Sequence, residues 1–273
     1  MNPPPNPPSA LAQLWAQLKT PRAPGRETGY PPIRNFILDL MAEGRRKNIV
    51  HVIFQADITD LLSRLAAATT DRTSVTSVVA AALAQVIEQH KHLNAYRVGK
   101  SRMVIFDDVD LSFTVEREVD GVLLPVPYIV RAANRKSVEQ IHQELQAAKV
   151  APIGATGPMS ALEKSFFLMP NFVRRMVWFF IRRDPWMFKQ LAGTVGVTSI
   201  GMFAAGAVVG QPITPMTLTL CIGSTEKKVV MQDGGPVERA FIHLNVSIDH
   251  DIIDGGPLMR FVAALGKRLG EGS

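Results

Sequence analysis

Hydrophobic positions along this chain change their spacing several times, and each spacing predicts a different element. Between Ile33 and Met41 they recur at steps of three and four residues, which is typical of a helix. Residues 48–57 instead form a run rich in β-branched and aromatic side chains, which predicts a strand. The same criteria predict helices at 58–67, 75–90, 137–148 and 257–269, and strands at 103–106, 110–115, 122–130, 193–199, 216–223, 227–231 and 240–249.

Local signals show how some of these elements join. Asp120-Gly121 separates two runs of β-forming residues, which predicts a hairpin. Ser137 precedes a helix and Gln140 follows three positions later, the arrangement of a capping box. Because strands and helices are mixed without strict alternation and hairpins are present, the sequence predicts an α/β fold with a mixed sheet.

The first 32 residues differ from the rest in composition. They are rich in proline, which prevents regular backbone hydrogen bonding, and contain a short amphipathic stretch from Leu11 to Leu18. We therefore predict a mobile or peripheral arm at 1–32 and one domain at 33–273. The N-terminus does not have the pattern of a signal peptide, and no stretch reaches about 18 uninterrupted apolar residues. The expected location is the cytoplasm.

Charge and cysteine content narrow the classes of partner. A formal net charge of +6 favours an anionic partner. The basic residues are scattered and follow no nucleic-acid-binding motif, so we expect no nucleic acid. The single Cys221 excludes an internal disulfide and a cysteine-ligated zinc site. It lies in a predicted strand and is expected to be a small buried hydrophobe. The histidines show no metal-ligand spacing, so no metal is expected.

Candidate chemistry is concentrated in residues 241–256. Strand alternation places His250 on the same face as Ile248 and other apolar residues, where reduced solvation would favour the neutral imidazole that accepts a proton. Asp254 follows four positions later, and Gly255 allows a sharp turn into the last helix. His243 lies on the opposite face, which we expect to be exposed; the alternative is that His243 is a polar residue lining the site.

This segment is similar to the His-x-x-x-Asp-Gly motif of the chloramphenicol acetyltransferase superfamily. It is more similar still to the catalytic domain of the E2 acyltransferases of 2-oxoacid dehydrogenase complexes. Those domains have a strand that ends in Asp-His, a four-residue step to Asp or Asn, then Gly and a C-terminal helix. The corresponding residues here are Asp249, His250, Asp254 and Gly255.

Three further stretches carry the resemblance in order along the chain. Residues 193–203, Gly-Thr-Val-Gly-Val-Thr-Ser-Ile-Gly-Met-Phe, resemble the family's Gly-Gly-Thr-Phe-Thr-Ile-Ser-Asn-Leu-Gly-Met-Phe strand. Residues 93–95, Leu-Asn-Ala, resemble the end of the family's Pro-x-x-Asn-Ala helix. Residues 109–115 and 124–131 resemble its Val-Asp-Ile-Ser-Val-Ala-Val and Pro-Ile-Val-Arg strands. Together the matches span about residues 33–269.

The resemblance implies a two-layer sandwich of chloramphenicol acetyltransferase type, with a mixed sheet and flanking helices. It also implies an acyltransferase that moves an acyl group between a coenzyme A thioester and a thiol, hydroxyl or amine acceptor. His250 would be the general base, and Thr198 would stabilise the oxyanion in place of the family's serine, with Ser199 as a fallback. Asp254 and Gly255 would support the histidine. The family's active site forms between the subunits of a trimer, so a homotrimer or a larger trimer-based oligomer is implied.

Some positions depart from the family pattern. Asp251 replaces the arginine that usually follows the histidine and is expected to raise the pKa of His250 or alter a neighbouring contact. The arginine that would pair with Asp254 is best placed at Arg34, with Arg45 as the alternate. We expect no lipoyl or subunit-binding domain ahead of the catalytic domain and no lipoyl group on this chain, and we favour free acyl-coenzyme A as donor. The alternative function is an E2-like core or scaffold subunit, non-catalytic or dependent on a lipoyl partner.

Residues 160–191 read as an insertion rich in aromatic and basic residues. Arginine pairs at 174–175 and 182–183 interrupt the aromatic stretch, as in an amphipathic helix at an interface. The alternatives are contact with a neighbouring subunit, the lining of a channel for a long acyl group or lipid, and peripheral contact with an anionic membrane. The prolines at 170 and 185 argue against a membrane span.

Overall fold

The computed structural model describes residues 9–18, 24–26, 29, 34–68, 73–119, 122–150, 169–201 and 206–271. The helices are α1 (Ala10–Leu18), α2 (Arg34–Gly44), α3 (Thr59–Ala67), α4 (Val75–Gln89), α5 (Val138–Val150), α6 (Asn171–Ile181), α7 (Pro185–Ala192) and α8 (Gly255–Gly270). The strands are β1 (Ile49–Asp57), β2 (Ala95–Val98), β3 (Arg102–Ile105), β4 (Leu111–Val119), β5 (Val122–Val130), β6 (Val195–Ser199), β7 (Leu218–Gln232) and β8 (Gly235–Asp249).

Six of these strands form one mixed sheet in the order β1-β8-β7-β6-β4-β5. β6 runs parallel to both of its neighbours, and the remaining pairs are antiparallel. The predicted α/β class with a mixed sheet is therefore confirmed. β2 and β3 form a separate antiparallel hairpin.

The main core lies between one face of the sheet and helices α3, α4, α5 and α8. It combines the apolar face of β8 (Ile242, Leu244, Val246, Ile248) with α4, whose residues 77–84 are all buried, and with Phe261 and Leu265 of α8. A sheet buried on this face and covered by amphipathic helices is the two-layer arrangement that the sequence predicts.

A second, smaller core joins α6 and α7 to the β2–β3 hairpin. Trp178 and Ile181 of α6 and Phe188 of α7 are buried there, and the Phe188 ring centroid lies 4.6 Å from that of Tyr96 on β2. Burial raises the pKa of Tyr96 to about 12, with the nearby Glu43 charge adding to the effect. The described part of the insertion is therefore packed on its own chain.

Several local predictions can be compared with the fold. The capping box of α5 is confirmed, since Ser137 Oγ accepts from the Gln140 backbone N–H at 3.2 Å and Gln140 Oε1 accepts from the Ser137 N–H at 2.9 Å. The two strands predicted at 216–223 and 227–231 are instead one strand, β7, with a register irregularity between Ile222 and Thr225. β4 and β5 form the predicted hairpin, whose turn at 120–121 lies outside the described residues.

β2, α6 and α7 are additional elements, and the amphipathic stretch at 11–18 lies in α1. Among the described residues, no helix is both long and apolar enough to cross a membrane.

Candidate active site at the end of β8

His250 occupies the turn that follows the last residue of β8 and precedes α8. Its side chain is exposed in the single chain, whereas the preceding residues 242–249 are all buried. The expectation of a sheltered imidazole is therefore wrong for one isolated chain, because the strand ends at Asp249 and its alternation does not continue to His250.

The segment Lys47–Asn48 holds three consecutive residues of this turn. Lys47 Nζ lies 2.8 Å from Oδ2 of the buried Asp249. The backbone N–H of His250 donates to the Asn48 carbonyl at 2.9 Å, and the Asn48 side-chain amide donates to Asp251 Oδ1 at 2.9 Å. The backbone at His250 is consequently fixed on both sides although its ring faces solvent.

Asp251, the departure from the family pattern, forms part of this support. It accepts from Asn48 and makes an ion pair with Arg97 of β2. The Asn48 amide, assisted by the Arg97 guanidinium, holds the pKa of Asp251 below its ordinary value. Asp251 thus links the His250 turn to β2 through its negative charge. An altered contact near the histidine is one of the two effects that the sequence predicts for this position.

Asp254 and Gly255 stand where the sequence places them, at the start of α8. Asp254 is the N-cap residue, and its carbonyl accepts from the Leu258 N–H at 3.2 Å, but its side chain makes no capping hydrogen bond. Arg34 is exposed at the start of α2. Within the described part of the chain, no ion pair joins Asp254 to Arg34 or to Arg45, and a pairing with an arginine stays a prediction.

Thr198 and Ser199 lie on β6 and point to opposite faces of the sheet. Thr198 pairs with Cys221 of β7, which pairs with Asn245 of β8, so these three side chains share one face. Ser199 pairs with Ile222 and through it with Leu244, both of which belong to the main core. Of the two candidate hydroxyls, therefore, Thr198 is on the face opposite to the helices.

The register keeps Thr198 and His250 of one chain far apart. His250 lies five residues beyond Asn245, about 17 Å along the strand, and β6 is two strands away, about 10 Å to the side. The separation of about 19 Å far exceeds the reach of the two side chains. One chain therefore does not bring this base and this hydroxyl together.

The sheet face opposite to the helices is polar but buried. His243, Asn245 and Ser247 are between 0% and 4% exposed, so the expectation that His243 is exposed is wrong. Side chains of both neighbouring strands flank His243, since its Nε2 lies 3.2 Å from Glu226 Oε2 on β7 and its Nδ1 lies 3.4 Å from Gln55 Nε2 on β1. The Asn245 side-chain amide donates to the carbonyl of Gly210, outside the sheet, at 2.7 Å. Cys221 on the same face is 1% exposed, and burial raises the pKa of its thiol, as expected of a buried hydrophobe.

A cavity of about 220 Å³ adjoins the His250 turn. Its lining combines the aromatic rings of Tyr96 and Phe188 with paired charges, including Lys47–Asp249 and Arg97–Asp251. A larger cavity of about 500 Å³, between α4 and α8, contains none of the candidate residues. Among the described residues, no cluster of three or more His, Cys, Asp or Glu side chains could hold a metal ion.

The residues that the sequence did not single out are Lys47, Asn48 and Arg97. Lys47 and Asn48 lie about 200 positions before the turn and Arg97 lies 154 positions before Asp251, so no local motif connects them to it. The sequence signal that could have pointed to them is the pair of acidic residues at 249 and 251, which implies basic residues nearby without identifying them.

The exposed face of α6 and α7 is aromatic and basic. Phe172 is 74% exposed and Trp186 is 61% exposed, with Phe180, Arg175 and Arg183 also exposed. Residues 151–168, which include the first part of the predicted insertion, lie outside the described residues. Contact of this segment with a subunit, an acyl channel or a membrane stays a prediction.

Comparison with known proteins identifies the family. The family model "2-oxoacid dehydrogenases acyltransferase (catalytic domain)" matches residues 26–154 and 189–271. The chain belongs to this family. The two matched ranges contain β6 and the His250 turn, and the gap between them, 155–188, contains all of α6.

Individual relatives agree with this assignment. The chain is 23% identical over 193 residues, 70% of its length, to the dihydrolipoyllysine-residue acetyltransferase component of the pyruvate dehydrogenase complex from Mycoplasma genitalium, and it spans only 41% of that relative. Its fold matches the dihydrolipoamide acetyltransferase (E2p) of Azotobacter vinelandii with a TM-score of 0.68 at 17% identity, covering 98% of this chain and 97% of the other. It also matches the cubic core of the pyruvate dehydrogenase multienzyme complex with a TM-score of 0.65 at 18% identity, covering 98% and 97%. The E2 catalytic fold is thereby confirmed.

Proposed function

We propose that the chain is an acyltransferase of the E2 type that moves an acyl group between coenzyme A and an acceptor. The main support is that the turn containing His250 is held in place by Lys47 and Asn48, and that the chain belongs to the E2 catalytic family. Coenzyme A is the substrate thiol in this proposal, and the positive net charge of the chain suits its phosphates.

In the proposed reaction, His250 accepts the proton of the attacking thiol or other nucleophile. The nucleophile forms a bond to the acyl carbonyl, and the Thr198 hydroxyl of a neighbouring chain donates a hydrogen bond to the resulting oxyanion. The bond between the carbonyl carbon and the donor sulfur then breaks, and the proton passes from His250 to the leaving thiolate. The acyl group moves directly, without a covalent acyl-enzyme.

Sequence spacing supports the roles of Thr198 and Asp254. The study of the Azotobacter enzyme concerns a serine, a histidine and an asparagine in its catalytic mechanism. In that enzyme the serine precedes the histidine by 52 positions and the asparagine follows it by four. Thr198 precedes His250 by the same 52 positions, and Asp254 follows it by four. Ser199 does not share this spacing, which agrees with its core-facing position.

The strand register supports a site shared between subunits. Because Thr198 and His250 lie about 19 Å apart in one chain, a functional pair needs a second copy. A trimer-based oligomer would supply the copy, and the matched cubic core is an assembly of related chains. We therefore place the proposed active site between protomers of a trimer.

The direct test is turnover with purified protein. Acetyl-coenzyme A and longer acyl-coenzyme A donors are incubated with dihydrolipoamide or another thiol acceptor, and the release of coenzyme A thiol is followed. We expect turnover by the wild type and none by His250→Ala. Turnover that persists in His250→Ala would contradict the proposed role.

The second candidate function is that of a core subunit that acts only with a lipoyl group on a partner. It is favoured by the fold match to the cubic core and by the 41% span of a relative named as a complex component. Turnover restricted to dihydrolipoamide, alongside large assemblies in solution, would support it over a free-acceptor enzyme.

A further inference from the structure

The inserted helix α6 falls outside the two ranges that match the family. Two arginines of the insertion nevertheless reach into the family fold: Arg174 within α6, and Arg182, the C-cap residue directly after it. Both contact acidic residues of α2. Arg174 donates from Nε to Asp39 Oδ2 at 2.8 Å, and Arg182 donates from Nη1 to Glu43 Oε1 at 2.8 Å and Oε2 at 3.2 Å. The two acids are four residues apart, so they lie on one side of α2.

The first ion pair is sheltered from solvent and the second is partly sheltered. Arg174 is 4% exposed and Glu43 is 9% exposed, whereas the Arg182 side chain is 27% exposed. Arg174 also donates to the Met169 carbonyl at 2.8 Å and to Asn171 Oδ1 at 2.6 Å. Each of its three guanidinium nitrogens therefore makes a hydrogen bond. Because a buried charge that loses its partner is costly, these pairs hold α6 and α2 in one relative position.

From Glu43 the support continues directly to the His250 turn. The backbone N–H of Arg46 donates to the Glu43 carbonyl at 3.2 Å and that of Lys47 donates to the Gly44 carbonyl at 3.1 Å, so the chain leaves α2 through a tight turn. Gly44 is pressed against the loop at 213–214, where an added Cβ would lie 2.9 Å from Ile213. Lys47 and Asn48, which hold the His250 turn, therefore follow a fixed helix end.

We propose that Arg182 is a positioning residue for His250: by holding Glu43 it fixes the end of α2, and through Lys47 and Asn48 it sets the orientation of the catalytic turn. This inference rests on the proposed function of His250. The insertion then supports the family's reaction centre from outside the family's own elements, and its exposed aromatic face remains available for another contact.

The neighbouring arginine provides a matched control. Arg183 is exposed, its guanidinium lies 3.5 Å from the Phe179 ring centroid, and its Nη1 donates to the Phe179 carbonyl of α6 at 3.2 Å. Arg182→Gln and Arg183→Gln make the same chemical change one position apart. We compare kcat, the KM for acetyl-coenzyme A and thermal unfolding of both variants, together with Arg182→Lys and Glu43→Gln.

We expect Arg182→Gln to lower kcat about 10-fold with little change in KM, because a small displacement of a catalytic group reduces the rate without removing substrate contacts. Arg183→Gln should keep the wild-type kcat, and Arg182→Lys, which retains a cation, should lie between. Glu43→Gln should lower kcat in the same way, and the double variant should be no worse than either single one.

Equal kcat values for Arg182→Gln and Arg183→Gln would overturn the inference while leaving the proposed function intact. A loss of activity by Arg182→Gln and Arg182→Lys that merely follows the loss of folded protein would also overturn it. Turnover that survives in His250→Ala would overturn the proposed function, and this inference with it.

Discussion

Thr198 and Ser199 show that a shift of one residue along a strand decides which face of the sheet a hydroxyl lies on. The two hydroxyls are adjacent in sequence, but only Thr198 shares the face of Cys221 and Asn245. We predict that Thr198→Ala lowers kcat by about 10²–10³-fold, the loss expected when one oxyanion donor is removed. Ser199→Ala is the control and should change kcat little, since its side chain points to the core. A larger kcat loss in Ser199→Ala would reverse the assignment.

Asp251 provides a pH-dependent contribution to stability. Its pKa is lower in the folded chain than in the unfolded chain, chiefly because of the Asn48 amide and then Arg97. The stabilisation is therefore present above the ordinary carboxyl pKa of about 3.9 and is lost as the pH falls through the lower folded value. Unfolding midpoints of the wild type and Asp251→Asn, measured from pH 7 to pH 2, should converge at the acid end. A constant difference over that range would contradict this prediction.

At the scale of elements, α5 shows a local signal that is sufficient by itself. Ser137 and Gln140 exchange the two hydrogen bonds of the capping box, as their spacing predicts. Ser137→Ala should lower the free energy of unfolding by about 1 kcal/mol, the usual effect of losing an N-cap side chain. Gln143→Ala, an exposed position on the same helix, is the control. Chemical denaturation of both variants measures the difference, and equal values would show that the cap does not contribute.

Elements with a clear internal period could be predicted from the sequence, and those shaped by distant contacts could not. The strand at 49–57 and the last helix have regular spacing and are found within two residues of their predicted bounds. The sequence predicts two strands in place of β7 because Ser224 and Glu226 interrupt the apolar alternation at the register irregularity. The prediction that His243 is exposed fails because contacts distant in sequence bury this face, such as Gln55 beside His243 and Gly210 against Asn245.

In the candidate site, too, residues within short motifs could be predicted from the sequence, and contacts between distant residues could not. His250, Asp254 and Thr198 could be proposed from short motifs and their resemblance to a family. The contacts of Lys47 with Asp249 and of Arg174 with Asp39 could not, since they join residues 202 and 135 positions apart. Ion pairs across such distances leave no periodic trace in the sequence.

At the scale of the whole molecule, our proposal puts the active site at the contact between two chains. If His250 comes from one protomer and Thr198 from its neighbour, two inactive variants should restore each other. We predict that His250→Ala and Thr198→Ala protein, unfolded together and reassembled, regain part of the wild-type turnover, whereas each reassembled alone stays inactive. A mixture without activity would place both residues in the site of one chain.

If the site is shared in this way, the spacing of β6 and β8 would also make the enzyme sensitive to its own abundance. A solitary protomer carries two half-sites about 19 Å apart that cannot cooperate. Rate per chain should therefore collapse when the protein is diluted below the dissociation constant of its oligomer, and recover on concentration. In a cell, synthesis of the polypeptide beyond that threshold would switch catalysis on by mass action alone.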